Sequence, residues 1–286
     1  SVRNTGIPLD RPTWRDVERY RISDSHMSRR FSLLIFAALL AACSPSPTHT
    51  AGTDLPAADL RSGYTFLTAE TQAMQDDSFA NPGFLWVDRG AALFEDQSGN
   101  APSCASCHSA GLAGVAATYP AIDGTTGDLL NLEGRINQCR IRHQSLPALD
   151  YESDDLLALT AFVANQSAGM PIAVSVDGAA GAHYRNGRNY FYTRRGQFNL
   201  SCHQCHDENW GKRLRGDTIS QGHGNGFPAY RLEWQTLGSL QRRIRDCDAG
   251  VRAEPRAFGD PAYIDLELYL SSRASGLDME SPAIRR

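Results

Sequence analysis

Two short motifs in this sequence each place two cysteines and a histidine within five residues. They read CASCH at 104–108 and CHQCH at 202–206. Two thiols at this spacing form thioethers with the vinyl groups of a haem, and the histidine that follows ligates the iron on one face. A redox-active CxxC pair or a zinc site is the alternative, but neither requires a histidine directly after the second cysteine.

The motifs therefore predict two covalently bound haem c groups. The attachment residues are Cys104, Cys107, Cys202 and Cys205, and the first iron ligands are His108 and His206. His203, inside the second motif, is interpreted as a spacer.

Two further cysteines follow the motifs, each preceded by Arg-Ile, in RINQC at 135–139 and RIRDC at 243–247. Haem iron accepts a thiolate as an axial ligand, and a nearby arginine compensates its buried charge. A disulfide between Cys139 and Cys247 is one alternative, and Met170 and Met279 are rival sixth ligands. Because the two cysteines hold equivalent places before the last helix of each half, we expect Cys139 and Cys247 to ligate iron.

An internal repeat spaces the two motifs 98 residues apart. Each is followed by its Arg-Ile cysteine segment, then by apolar residues at helical spacing, predicted as helices over Asp154 to Gln166 and Pro261 to Arg273, then by small residues. The predicted fold is mainly α, with two tandem cytochrome c-like haem domains related by this repeat. We place the domains at 61–170 and 171–286.

The N-terminal region has the features of an export signal. Arg29 and Arg30 precede the apolar run 31–40, and Ala41 and Ala42 lead to Cys43. LLAAC resembles a bacterial lipobox, which predicts a lipoprotein signal peptide at 27–42 and lipid on Cys43. An ordinary signal peptide cut nearby is the alternative. We expect 1–26 to be an upstream extension, 43–60 a flexible tether, and the mature protein to be periplasmic, anchored to the membrane through its lipid.

Charge gives no reason to expect nucleic acid as a partner, because the 286 residues carry a formal net charge of −4. Subtracting the seven arginines and four acidic residues of 1–42 from 28 basic and 32 acidic residues leaves 21 and 28, a net charge of −7. Within this acidic chain, one group of residues is locally basic. It contains Lys212, Arg213, Arg215, Arg242, Arg243 and Arg245. It is either a solvated face or a site for a small anion.

The chain from about Arg61 to its C-terminus resembles SoxA, the dihaem subunit of the SoxAX cytochromes of bacterial sulfur oxidation. The resemblance rests on CASCH, CHQCH, RINQC, RIRDCDAG and the ending SSRASGLDMESPAIR. It implies an L-cysteine S-thiosulfotransferase that joins thiosulfate to a cysteine thiol of the carrier protein SoxY, with electrons leaving through haem. It also implies a SoxX-like cytochrome as heterodimer partner.

The resemblance also assigns roles within the chain. Cys247 would ligate the active-site haem, carried by the second domain, and bear the reactive sulfur as a persulfide, while Arg243 would contact the sulfur substrate. The first haem would be remote from catalysis. Arg135 matches Arg243 in the internal repeat, and from that position we expect it to pair with a haem propionate or with the thiolate charge. Two alternatives are a thiosulfate dehydrogenase that forms tetrathionate and a dihaem protein that only transfers electrons.

Overall fold

The computed structural model describes residues 55–97 and 101–286. Cys43, the predicted upstream extension and the predicted signal peptide lie outside the described residues, as does most of the predicted tether. Within the described ranges, no helix is both long and apolar enough to cross a lipid bilayer.

Helices dominate the described part of the chain, which confirms the prediction of a mainly α fold. They are α1 Ala69–Asp76, α2 Phe84–Glu95, α3 Cys104–Cys107, α4 Leu132–Cys139, α5 Asp154–Asn165, α6 Ala180–Tyr192, α7 Cys202–His206, α8 Leu240–Gly250 and α9 Pro261–Arg273. Short 3-10 turns cover Ala57–Asp59, Gly63–Phe66 and Ala116–Thr118, and one π-helical turn, Arg140–Gln144, follows α4.

The strands are short. They are β1 Ala121–Ile122, β2 Leu129–Leu130, β3 Arg213–Leu214, β4 Asp217–Thr218, β5 Ala229–Arg231, β6 Thr236–Gly238 and β7 Ala283–Arg285. β1 pairs with β2, and β3 pairs with β4, both antiparallel. The third sheet has the order β6-β5-β7, in which Tyr230 is opposite Leu237 on one side and parallel to Ile284 on the other.

The helices predicted after the Arg-Ile cysteine segments are α5 and α9. α5 begins after Ser153, whose hydroxyl accepts from the Leu156 amide. α9 begins with Pro261 after Asp260, whose carboxylate accepts from the Ala262 amide at 2.8 Å. Such caps satisfy amides that have no partner within the helix, and proline is well suited to the first helical position.

Each of these helices crosses an earlier helix at a glycine. A β-carbon at Gly90 of α2 would lie 2.1 Å from the carbonyl oxygen of Ala158 in α5. A β-carbon at Gly187 of α6 would lie 2.0 Å from the carbonyl oxygen of Asp265 in α9. Both helix pairs therefore approach each other more closely than any other residue type would permit.

The two halves of the described chain are joined along the segments that end them. The Gly169 amide donates to the Met279 carbonyl, and the Met279 amide donates to the Met170 carbonyl, both at 2.9 Å. One apolar cluster draws on both halves and contains Ala116, Ala117, Ala164, Ile172, Ala274 and Met279. The domain boundary near residue 170 stays a prediction.

Candidate functional site

The second motif forms the single-turn helix α7. The amide of Ser201 donates to the Gln204 side chain at 3.0 Å, which fixes the start of the turn. Positions three and four apart share a face of a helix, so Cys202, Cys205 and His206 lie on the same side of it. This is the arrangement that attachment of a haem through two thiols and one imidazole requires.

The His206 ring is oriented by a backbone carbonyl. Its Nδ1 lies 2.7 Å from the oxygen of Ser220, which only accepts, so the proton is on Nδ1 and Nε2 is free to ligate a metal. Burial lowers the pKa of His206 against the opposing effect of this hydrogen bond, and the charges of Arg243 and Arg273 lower it further. The imidazole is thus neutral, as an iron ligand must be.

Cys247 lies on α8, which begins after Ser239, whose hydroxyl accepts from the Arg242 amide at 3.1 Å. Burial raises the pKa of the Cys202 thiol to about 11 and also raises that of Cys205, and a charge on Cys247 adds to both effects. α8 therefore brings Cys247 close to the two attachment cysteines of the second motif.

Arg243 precedes Cys247 by one helical turn, on the same face of α8. Its side chain is half-buried, and within the described residues its guanidinium has no ion pair or hydrogen bond. Two neighbouring arginines of the basic cluster, by contrast, have aromatic partners. The guanidinium of Arg242 lies 4.3 Å from the centre of the Trp234 ring, and that of Arg245 lies 4.5 Å from the centre of the Phe258 ring.

Arg135 holds the equivalent place in the first half but is neutralised. Its Nη1 lies 2.9 Å from Asp123 Oδ2, and its Nε donates to the hydroxyl of Tyr119 at 2.9 Å. Backbone hydrogen bonding, chiefly from Thr126, keeps the pKa of Asp123 well below its usual range, so this carboxylate is charged. Arg135 thus pairs with a carboxylate of its own chain, whereas Arg243 does not.

The first motif forms α3, which is capped by the Ser103 hydroxyl accepting from the Ser106 amide at 3.1 Å. Cys104 borders a cavity of about 100 Å³. The other residues that line it are Leu93, Asp96, Arg140, Gln144, Leu146, Leu149, Asp155 and Leu159. The Phe94 ring lies 6.4 Å from the His108 ring. A cavity with both apolar and charged lining residues therefore adjoins the first motif.

Cys139 is the last residue of α4 and faces this motif. Burial raises its pKa, while Arg135 and Arg142 oppose the rise. A charge on Cys107 is among the smaller causes of the raised pKa. Cys139 therefore lies near Cys107, as Cys247 lies near Cys202 and Cys205. The backbone differs, because α4 gives way to the π-helical turn directly after Cys139, whereas α8 continues beyond Cys247.

The disulfide alternative for Cys139 and Cys247 is not formed among the described residues. All six described cysteines are free thiols, so no disulfide joins these two. Met279 is 7% exposed and packs in the apolar cluster that joins the halves, while Met170 is 38% exposed. Both ring nitrogens of His203 have partners, with Ser201 Oγ 2.8 Å from Nδ1 and Glu208 3.4 Å from Nε2.

The residues present suit haem c at the second motif. The free Nε2 of His206 and the sulfur of Cys247 are donors that haem iron accepts, and the two thiols of α7 lie beside them. Three residues of this site were not predicted from the sequence. Ser220 and Gly222 belong to the glycine-containing segment SQGHG, and Asp248 directly follows Cys247. Its position next to Cys247 is the sequence feature from which Asp248 could have been predicted.

Comparison with known proteins gives consistent results. The family model for the SoxA/TsdA cytochrome c domain matches residues 89–172. The L-cysteine S-thiosulfotransferase subunit SoxA of Rhodovulum sulfidophilum is 39% identical over 246 residues, which are 85% of this chain and 85% of that protein. The same subunit of Paracoccus pantotrophus is 37% identical over 227 residues, 78% of each chain.

The structure also matches a solved one. A chain from the crystal structure of SoxXA from P. pantotrophus superposes with a TM-score of 0.76 at 36% sequence identity. The match covers 79% of this chain and 87% of that one. The structural likeness therefore extends well beyond the residues 89–172 that the family model matches.

Proposed function

Because this chain belongs to the SoxA family, we propose that it is the cytochrome subunit of an L-cysteine S-thiosulfotransferase. The reaction joins the terminal sulfur of thiosulfate to a cysteine thiol of a SoxY-type carrier protein. One S–S bond forms, one S–H bond breaks, and one proton and two electrons are released. Covalently bound haem c supplies the outlet for the electrons.

The chain carries two haem c groups in two tandem cytochrome c-like domains, 61–170 and 171–286. The equivalent order of elements supports this part of the proposal, because each half has a helix with a crossing glycine, a CxxCH turn, a helix with an Arg-Ile cysteine segment and a last helix. His108 and Cys139 ligate the first iron, and His206 and Cys247 ligate the second.

The second haem is the catalytic one, and the observation that carries this assignment is the unpartnered guanidinium of Arg243. Thiosulfate is a small dianion that gains charge-assisted hydrogen bonds from a guanidinium. One helical turn separates Arg243 from Cys247, so an anion bound to Arg243 has its sulfur near the Cys247 sulfur. Arg135, which holds the equivalent place in the first half, is already paired with Asp123 and is therefore not available to an anion in the same way. Cys247 bears the reactive sulfur, and the first haem serves electron transfer.

The partners follow from the family. The structural relative is a SoxXA complex, and we propose a SoxX-type cytochrome as the heterodimer partner of this chain. We also propose that the protein works in the periplasm, where a lipid on Cys43 would tether it to the membrane.

Mass spectrometry of the matured protein, purified with its cytochrome partner, tests this proposal. We expect two covalent haems and an added mass of about 32 Da on the Cys247 peptide, the mass of one sulfur atom, with none on the Cys139 peptide as internal control. Thiosulfate should reduce the protein only when the carrier thiol is present. Reduction and tetrathionate formation without carrier would instead identify a thiosulfate dehydrogenase, and no reduction under either condition would identify an electron carrier.

A further inference from the structure

Asp248, the residue after Cys247, is a buried carboxylate at the meeting point of three chain segments. It is 3% exposed. Its Oδ2 accepts from the hydroxyl of Tyr190 in α6 at 2.7 Å and from that of Tyr263 in α9 at 2.8 Å. Its Oδ1 lies 3.6 Å from Arg195 Nη1. Oδ2 therefore accepts two hydrogen bonds and Oδ1 lies in an ion pair, all with residues outside α8.

Arg195 extends this contact to the second motif. The same Nη1 lies 3.5 Å from the sulfur of Cys202, and the guanidinium lies 3.7 Å from the centre of the Tyr190 ring. A continuous chain of contacts thus runs from the Cys247 backbone through Asp248 and Arg195 to an attachment cysteine.

The two tyrosines remain donors over the working range of pH. Burial and the hydrogen bond to Asp248 raise the pKa of Tyr263 to about 12, and the same causes hold the pKa of Tyr190 above its usual range. Asp248 thus keeps two hydroxyl donors, one from each of the crossing helices α6 and α9.

Among the described residues of the first half, none forms an equivalent anchor next to Cys139. The residue after Cys139 is Arg140, whose Nε donates to the Pro147 carbonyl at 3.2 Å, and it opens the π-helical turn. Of the two Arg-Ile cysteine segments, only the second is held by a carboxylate that is bound to the two crossing helices of its half.

We propose that Asp248 is a positioning residue that holds the Cys247 sulfur in register with the second CxxCH motif. This inference deepens the proposed function and rests on it. Rotation or sliding of the last turns of α8 would separate the carboxylate from both tyrosines and from Arg195. Since a reacting atom displaced by about 1 Å can lower a rate by about 10²-fold, the anchor fixes the distance between the sulfur and an anion on Arg243.

Asp248→Asn in the matured complex with its cytochrome partner tests this inference. An amide has one acceptor oxygen, so its NH₂ group would face Arg195 while its oxygen stays with the tyrosines. Asp246→Asn is the matched control, because it removes the same charge from the other side of Cys247. Asp246 is exposed, and it accepts from Trp234 Nε1 at 2.9 Å.

Two readouts are needed, the electron paramagnetic resonance spectrum of the ferric haems and the steady-state constants for thiosulfate. We expect Asp248→Asn to shift the signal of the thiolate-ligated second haem and to lower kcat about 10²-fold with little change in KM, as befits misplacement of the reacting sulfur. Asp246→Asn should leave both unchanged.

A wild-type spectrum without a thiolate-ligated second haem would overturn the ligand set of the proposed function. A normal wild-type spectrum together with unchanged spectrum and kcat in Asp248→Asn would overturn this inference alone. If Asp248→Asn does not fold, Tyr263→Phe removes one of the donors. It should shift the same signal in the same direction by a smaller amount, and an unchanged spectrum there also overturns the inference.

Discussion

Gly222 lies directly against the imidazole of His206, where a β-carbon would come within 2.8 Å of the ring Cγ. The residue stands two positions after Ser220, whose carbonyl accepts from the same ring. One short loop therefore orients the ring by a hydrogen bond and confines it by contact, which is the outer-shell support that metal-bound histidines receive elsewhere.

Gly222→Ala should weaken ligation of the second iron by tilting the His206 ring. Because φ at Gly222 is +77°, the substitution also strains the backbone, so Gly127→Ala is the matched control. Gly127 has φ of +79°, and a β-carbon there meets no atom within 4 Å. Absorption and reduction potential of the second haem should change in Gly222→Ala and stay unchanged in Gly127→Ala. Equal spectra in the two variants would contradict the steric role.

Gly187→Ala and Gly90→Ala should each destabilise the protein, because a methyl group would collide with a backbone carbonyl that cannot move aside alone. The expected loss is about 1–3 kcal/mol each in the free energy of unfolding, typical of overpacking. Gly250→Ala, on an exposed site at the end of α8 with no neighbour within 4 Å, is the control and should cause little loss. Denaturant titration measures all three. A loss in Gly250→Ala as large as in the other two would contradict the crossing argument.

The sequence identified those parts of the site that depend on local spacing. The motif turns place thiols and imidazole by helical geometry, and α9 has its predicted bounds, Pro261–Arg273, because its cap and first-turn proline are adjacent in sequence. The pairing of Arg135 with Asp123 joins residues 12 positions apart across a turn, and no periodicity indicates it. The π-helical turn after Cys139 likewise has no sequence signal that we recognised.

Arg243→Gln should raise KM for thiosulfate about 10- to 100-fold, which corresponds to the loss of a charged hydrogen bond of about 1.5–3 kcal/mol. Arg245→Gln is the control on the same helix, since its guanidinium lies over Phe258. Increased salt should raise KM for the wild type more than for Arg243→Gln, because the charge being screened is absent from the variant. Similar KM values for wild type and Arg243→Gln would refute the assigned role.

Removing one pair of attachment cysteines at a time should separate the two haems. The double variant Cys104→Ala/Cys107→Ala should retain one covalent haem and the conjugation of thiosulfate, at a rate set by the altered electron path. The double variant Cys202→Ala/Cys205→Ala should also retain one haem but lose conjugation. Haem-stained gels and intact mass give the haem number, and carrier-bound thiosulfate gives the activity. The opposite pattern of activity would assign catalysis to the first haem.

A pair of buried carboxyl groups between the halves should make stability depend on pH. Glu133 and Glu267 line a cavity of about 60 Å³. Burial raises the pKa of Glu133 to about 7, with Glu152 adding to the rise, and raises that of Glu267 well above its usual value. Glu267 accepts from Gln241 at 2.6 Å and from Asn131 at 3.3 Å. Tyr151 donates to the Asn131 side chain beside them.

The sign of the effect follows from the raised pKa. The folded state keeps a proton on Glu133 up to a pH of about 7, whereas the unfolded state releases it near pH 4.5. The contribution of this carboxyl group to the free energy of unfolding is therefore complete below pH 4.5 and is lost as the pH rises to about 7. Relative to Glu133→Gln, the free energy of unfolding of the wild type should fall by about 1.4 kcal/mol per pH unit within that window and level off above it. Parallel stability curves for the two proteins between pH 4.5 and 7 would mean that Glu133 is ionised in the folded state, with the charge held by water in the cavity.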